Sequence, residues 1–209
     1  MDQTLFYLEK AEAISHKLNY AHGKGNELYL RGILESIRSN HSKSLDYFEL
    51  SLKEYESINE YSGMASIYAA FGITHFEMAE YDEAIKDYKK AAHLYGKADK
   101  KEDIVSLNIN IANVYCEIGD YHKAISIYKE VLQYYAKAKD EEGLSSVNGN
   151  IGVIYSEQGN YPLALEYYNK SLVYTEKIGD TLSMTSLYNN IGDVFHSMKN
   201  YDKALVYHE

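Results

Sequence analysis

The chain has 209 residues, a single proline, a single cysteine and a formal net charge of −10. This acidic balance argues against nucleic acids and membranes as partners, since nucleic acids and anionic lipids attract a clustered positive field. Because Cys116 is the single cysteine, an internal disulfide is excluded. Residues 1–5 do not resemble the start of a signal peptide, so a cytoplasmic location is expected.

The chain repeats itself with a period of 40 residues. Four alanines at this spacing each follow a tyrosine by three residues, and small residues recur with the same step. The alanines are Ala84, Ala124, Ala164 and Ala204, and the small residues are Gly32, Gly72, Ala112, Gly152 and Gly192. Such a period predicts one array of similar units, each of which buries its apolar face against its neighbours.

In chain order, residues 1–20 are predicted to form the second helix of a partial repeat, because Leu8 and Ala11 precede Phe48 and Ser51 by 40 residues. Complete repeats are expected at 21–60, 61–100, 101–140 and 141–180, and a truncated repeat at 181–209. Neither end shows the polar cap that a repeat array normally has. We therefore expect a segment of a larger protein; the alternative is a short natural chain whose ends pair in an oligomer, end to end or as a homodimer.

The third repeat shows how one unit is built. Its first helix is predicted from an apolar stripe with steps of three or four residues, formed by Ile104, Leu107, Ile111, Val114 and Ile118. Gly119 is expected to end this helix and Asp120 to cap the next one. The apolar face of that second helix is expected to consist of Ala124, Ile127, Tyr128, Val131 and Leu132. In the following repeat Pro162 falls at the first turn of the second helix, where its missing N–H is harmless.

Two short sequence motifs recur in this part of the chain. Residues 110–115 and 150–155 read Asn-x-Gly/Ala-x-x-Tyr, and residues 119–124 and 159–164 read Gly-Asp/Asn-Tyr-x-x-Ala. With them the chain resembles a tetratricopeptide repeat (TPR) array, in the 40-residue variety found in kinesin light chains and bacterial signalling proteins. The resemblance implies an all-α, right-handed superhelical solenoid of stacked helical hairpins that binds proteins or peptides along its inner wall.

One face of the first helices is expected to line that inner wall, one residue ahead of the core stripe. We call it the groove stripe; it consists of Ser66, Ile73, Glu77, Ser106, Asn110, Asn113, Glu117, Ser146, Asn150, Glu157, Ser186, Asn190 and Asp193. Asn110, Asn150 and Asn190 are expected to bracket an extended peptide backbone, because amides both donate and accept hydrogen bonds. The alternative is that these asparagines are merely typical of the family and serve solubility or helix contacts.

The charge of the groove stripe indicates the kind of partner. The stripe is acidic, and Lys and Arg are nearly absent from the first helices of the last three repeats. A clamp for a terminal carboxylate needs several such cations and is therefore disfavoured, whereas a neutral or basic peptide is favoured. Toward the N-terminus the wall becomes apolar at Ile33, Ile37, Ile73 and Phe76, which indicates either a pocket for an apolar side chain or burial by the preceding helix.

No catalytic, metal or cofactor constellation is recognisable, so the chain is not expected to be an enzyme. His75 occupies a position that is aromatic in other repeats and is interpreted as a core-edge residue. The sequence thus favours the peptide-binding sensory or interaction segment of an intracellular signalling protein. A free-standing adaptor or assembly factor is the alternative.

Overall fold

The computed structural model of the protein describes residues 3–209. Residues 1 and 2, the start of the predicted partial repeat, lie outside this range. The side chains of Leu8 and Ala11, on which the alignment of that repeat rests, also lie outside what the structure describes.

The described residues form eleven helices joined by turns of two or three residues. The helices are α1 (Gln3–Lys17), α2 (Ala21–Ile37), α3 (His41–Ser57), α4 (Tyr61–Glu77), α5 (Tyr81–Lys97), α6 (Lys101–Glu117), α7 (Tyr121–Ala138), α8 (Glu141–Glu157), α9 (Tyr161–Ile178), α10 (Thr181–Ser197) and α11 (Tyr201–His208). The all-α fold of stacked helical hairpins predicted from the sequence is confirmed.

Each turn places one residue in the left-handed backbone region. As predicted, Gly119 does so after α6 (φ 76°), and Asp120 then caps α7 by accepting a hydrogen bond from the Lys123 amide. Ala79 takes the equivalent position after α4 with φ 59°. Because an L side chain costs about 1–2 kcal/mol in this region, the packing of the hairpin must hold that turn in place.

The end of α6 corrects one predicted core residue. Ile118 was expected to continue the apolar stripe, but it is 47% exposed. The reason is that α6 ends at Glu117, so that Ile118 already belongs to the turn and leaves the buried face. Pro162 lies in the first turn of α9, as predicted.

Within the hairpins, a small residue of the first helix lies beneath an aromatic ring of the second. A Cβ atom added to Gly72 would come within 2.5 Å of Tyr88, and one added to Gly152 within 2.6 Å of Tyr168. The same pairing joins Gly32 to Phe48 and Gly192 to His208. The repeating glycines therefore let the two helices approach with a ring between them.

The chain divides into two compact units, Met1–Val114 and Tyr115–Glu209. The core of the first includes Phe48, Tyr55, Ile67, Ala70 and Phe71, and that of the second includes Ala164, Tyr168, Leu172, Leu187, Ile191 and Val194. Among the helices of the described region, none combines the length and the apolar character needed to cross a bilayer.

Candidate functional site

The groove stripe is accessible wherever the structure describes it. Its serines, asparagines, acidic residues and Ile73 are all exposed or half-buried. Between these positions lie fully buried residues such as Ile111, Ile151 and Ile191. Since one face of the helix is buried and the adjacent face is open, side chains of the groove stripe are available for contact with a ligand.

In the first unit, tyrosines from the second helices reach the start of the open face. The Tyr55 hydroxyl donates a hydrogen bond to Asn26 Oδ1 over 2.5 Å, and the Tyr95 hydroxyl lies 3.0 Å from Ser66 Oγ. Asn26, Ser66 and Tyr55 line a small pocket of about 210 Å³. These tyrosines fill the space beside the groove and bind its polar side chains.

The other stripe residues of the first unit are spread along their helices. Glu77 accepts a hydrogen bond from the Ser36 hydroxyl over 3.2 Å. Ile73 is 44% exposed, and Ile37, also expected on the apolar part of the wall, is exposed too. Ser106, Asn110 and Asn113 lie on α6.

In the second unit, four residues of the groove stripe come together. Ser146 and Asn150 of α8 and Ser186 and Asn190 of α10 line one pocket of about 350 Å³. This pocket was not predicted as such, although all four residues were. Here two neighbouring first helices of the stripe share one pocket.

The acidic residues of the stripe in this unit lie elsewhere. Glu157 is hydrogen-bonded to the Tyr121 hydroxyl, and Asp193 Oδ1 lies 3.6 Å from His208 Nε2. Glu117 is exposed at the end of α6. The structure therefore brings the predicted amides and hydroxyls together but places these carboxylates outside the pocket.

Asn150 has a structural contact as well as an open face. Its amide is hydrogen-bonded to the hydroxyl of the buried Tyr128, which is also hydrogen-bonded to Cys116. Burial raises the pKa of the Cys116 thiol to about 11. The thiol is therefore protonated at neutral pH, and its nucleophilicity is low.

Two buried serines that sequence reasoning missed, Ser145 and Ser171, also line the pocket, and Thr175 is hydrogen-bonded behind them. Ser145 Oγ lies 2.6 Å from Thr175 Oγ1 and 3.0 Å from Ser171 Oγ, and Ser171 Oγ donates to the Ser145 carbonyl over 2.7 Å. All three residues are buried. The available signal was Thr175 itself, which interrupts a series of tyrosines at Tyr55, Tyr95 and Tyr135.

Carboxylates also line this pocket. Glu142 is exposed, and Asp180 caps α10. Hydrogen bonds from Ser183 and from the Leu182 amide hold the pKa of Asp180 below its usual range, so it is negative at neutral pH. Among the described residues that line the pocket none is cationic, so its field is negative.

His75 lies away from the groove stripe, as its interpretation as a core-edge residue implied. Its ring stacks on Phe71, and its Nδ1 atom lies 2.8 Å from Asp87 Oδ2. Burial raises the pKa of Asp87, against the effect of the hydrogen bond with His75. Within the part of the chain that the structure describes, no group of three or more His, Cys, Asp or Glu side chains is arranged to hold a metal ion.

Family comparisons agree with the repeat geometry. Sequence profiles described as Tetratricopeptide repeat match residues 64–98, 103–177 and 185–207. No curated protein sequence gives a significant match to the chain.

Solved structures show the same fold at low sequence identity. BtubC (BKLC) from P. vanneervenii superposes with a TM-score of 0.81 at 15% identity, over 98% of this chain and 85% of that one. NprR in complex with its cognate peptide NprX gives 0.66 at 20% identity, over 95% of this chain and 58% of NprR. A putative kinesin light chain with TPR-like repeats from Podosopora anserina gives 0.70 at 11% identity, over 87% of this chain and 90% of that one. The hairpin geometry and the three profile matches together show that the chain belongs to the tetratricopeptide repeat family.

Proposed function

We propose that this chain binds an extended, neutral-to-basic peptide segment along its groove stripe and acts as the sensory or interaction part of a larger intracellular signalling protein. The supporting observation is the pocket of the second unit, where Ser146, Asn150, Ser186 and Asn190 converge beside Glu142 and Asp180. Hydroxyls and amides hydrogen-bond a peptide backbone whatever its side chains, and the carboxylates favour positive charge. The function proposed is binding, without a catalytic step by this chain.

The similarity to NprR supports a peptide as the ligand, since that structure holds the peptide NprX. It also supports a longer parent protein, because this chain spans only 58% of NprR. The reading frame that follows residue 209 tests this second point. A kinase, cyclase or DNA-binding domain there is the expected finding, whereas a polar capping helix and a stop codon would contradict it.

A displayed peptide library tests binding. Peptides selected on the wild type are measured by calorimetry against the wild type and against Asn150→Ala/Asn190→Ala. Loss of two hydrogen-bonding side chains is expected to weaken binding by about ten- to a hundredfold, at roughly 1 kcal/mol for each bond.

Asn169→Ala is the matched control. Asn169 is exposed on α9 and its amide donates to the Leu165 carbonyl of its own helix, outside the pocket. Thermal unfolding checks that the double variant remains folded, because Asn150 also contacts Tyr128. Unchanged affinity of every selected peptide for the double variant, or a library without binders, would overturn the proposal.

A further inference from the structure

One position in the second helices changes character along the chain. Tyr55, Tyr95, Tyr135 and Thr175 are spaced by 40 residues. In the first two cases the structure shows the tyrosine hydroxyl bound to the residue 29 positions earlier, Asn26 or Ser66. At Tyr55 the pocket beside the ring is small, about 210 Å³.

At Thr175 no tyrosine ring occupies this space. The Thr175 Oγ1 atom lies 2.6 Å from Ser145 Oγ, and Thr175 is fully buried. Ser146, the residue that a tyrosine at this position would reach, is exposed and lines the 350 Å³ pocket instead. The exchange of tyrosine for threonine therefore opens space between α8 and α10.

A glycine widens the same space. A Cβ atom added to Gly149 would still be 3.5 Å from Ser171 Oγ and 3.9 Å from Leu187 Cδ2, whereas the glycines beneath aromatic rings have no such room. Gly149 lines the pocket together with the buried Ser145 and Ser171. The pocket thus extends down to a floor of hydroxyls whose hydrogen bonds are already satisfied.

We propose that this cavity, the Thr175 pocket, receives a lysine or arginine side chain of the bound peptide; the proposal rests on the peptide-binding function proposed above. Val153, Ile178 and Leu187 offer apolar surface for the aliphatic stem. Glu142 and Asp180 are the charged groups among the described lining residues, and both are carboxylates. A cationic head group would pair with these carboxylates. An acidic side chain would be repelled by them, and a purely aliphatic side chain would offer them no charged partner.

Capped amino acids probe the pocket without the natural ligand. Nα-acetyl-arginine and Nα-acetyl-lysine methylamides are titrated into the ¹⁵N-labelled 209-residue chain, with Nα-acetyl-norleucine methylamide as the uncharged control. Saturable shifts are expected at the amides of Ser146, Gly149 and Asn190. The cationic probes are expected to bind about threefold more tightly than norleucine, the effect of a partly exposed charge pair.

The variant that narrows the pocket places a tyrosine at position 175, as at positions 55, 95 and 135. Where tyrosine occupies the position, glycine follows eight residues later in two repeats, and a Cβ atom on Gly63 or Gly143 would lie within about 2.6 Å of Tyr55 or Tyr135. The fourth repeat has Ser183 there, so Thr175→Tyr is combined with Ser183→Gly to make room for the ring. The double variant is expected to lose at least about tenfold in probe affinity, corresponding to an occluded site. Ser183→Gly alone is the reference from which this loss is measured, because Ser183 lines the pocket and is hydrogen-bonded to Asp180.

Glu142→Gln tests the charge without changing the packing and should reduce the preference for the cationic probes over norleucine, since Asp180 remains charged. The proposal of a lysine or arginine pocket would be overturned if the norleucine probe bound the wild type as tightly as the cationic probes, or if the double variant bound the cationic probes without loss of affinity. These failures are distinct from failure of the proposed function: selected peptides that bind through Asn150 and Asn190 without a lysine or arginine in this pocket contradict only the present inference.

Discussion

At the scale of single residues, the helical glycines have different environments and should respond differently to substitution. A Cβ atom at Gly72 would lie 2.5 Å from the Tyr88 ring, whereas one at Gly96 would meet nothing within 4 Å. We expect Gly72→Ala to destabilise the chain by about 1–3 kcal/mol through overpacking. Gly96→Ala should be neutral or stabilising by up to about 1 kcal/mol, through helix propensity.

Urea unfolding followed by circular dichroism measures both glycine variants. Their difference is the informative quantity, since both replace a helical glycine by alanine. Equal changes in the free energy of unfolding would show that the Tyr88 ring does not constrain Gly72.

The buried tyrosines make stability sensitive to alkaline pH. Burial is the main cause that raises the pKa of Tyr88 to about 12, and the nearby charges of Glu77 and Asp87 add to it. In the unfolded chain the pKa is about 10. The folded state therefore holds the proton more tightly, so this contribution to stability is complete below about pH 10 and is lost as pH rises toward 12.

Tyr88→Phe isolates this effect. Phe48 fills the equivalent position of the first repeat and is fully buried, so the substitution should be tolerated at pH 7. Between pH 8 and pH 11 the free energy of unfolding of the wild type should fall by about 1 kcal/mol more than that of the variant, because phenylalanine cannot ionise. Urea unfolding at several pH values measures the difference. Parallel pH profiles would contradict it.

At the scale of the helices, the repeating alanines mark places without room for a larger side chain. Ala164 of α9 is fully buried in a cluster with Tyr168, Leu187 and Ile191. We expect Ala164→Leu to destabilise the chain by about 1–3 kcal/mol. Ala136→Leu, at an exposed position of α7, is the control and should change stability by less than about 0.5 kcal/mol. Thermal unfolding compares them, and similar losses in both would contradict close packing at Ala164.

The periodic sequence predicts the helices well because each turn recurs at a fixed distance. The tyrosines that begin α5, α7, α9 and α11 show the 40-residue step directly. The turn at Ala79 carries no comparable local signal, since its left-handed conformation is imposed by the hairpin on a residue that does not favour it. Repetition along the chain, rather than the residue itself, reveals that turn.

The candidate site was only partly predictable for a related reason. Helical spacing alone places Ser146, Asn150, Ser186 and Asn190 on open faces. How large a pocket such faces form differs between repeats: the pocket beside Tyr55 is about 210 Å³, and the one in the repeat of Thr175 is about 350 Å³. The hydroxyl floor is set by contacts between α8 and α9, which follow from packing and not from the period of one helix.

At the scale of the whole molecule, the net charge of −10 should act on the rate of peptide association. Long-range attraction between an acidic protein and a basic peptide raises the encounter rate, and salt screens it. For a lysine- or arginine-containing peptide from the library, we expect the association rate constant to fall about tenfold between 50 mM and 500 mM NaCl. A selected peptide without net charge is the control and should change little, and stopped-flow fluorescence measures both. Equal salt dependence for the two peptides would show that electrostatic attraction has no part in recognition by this chain.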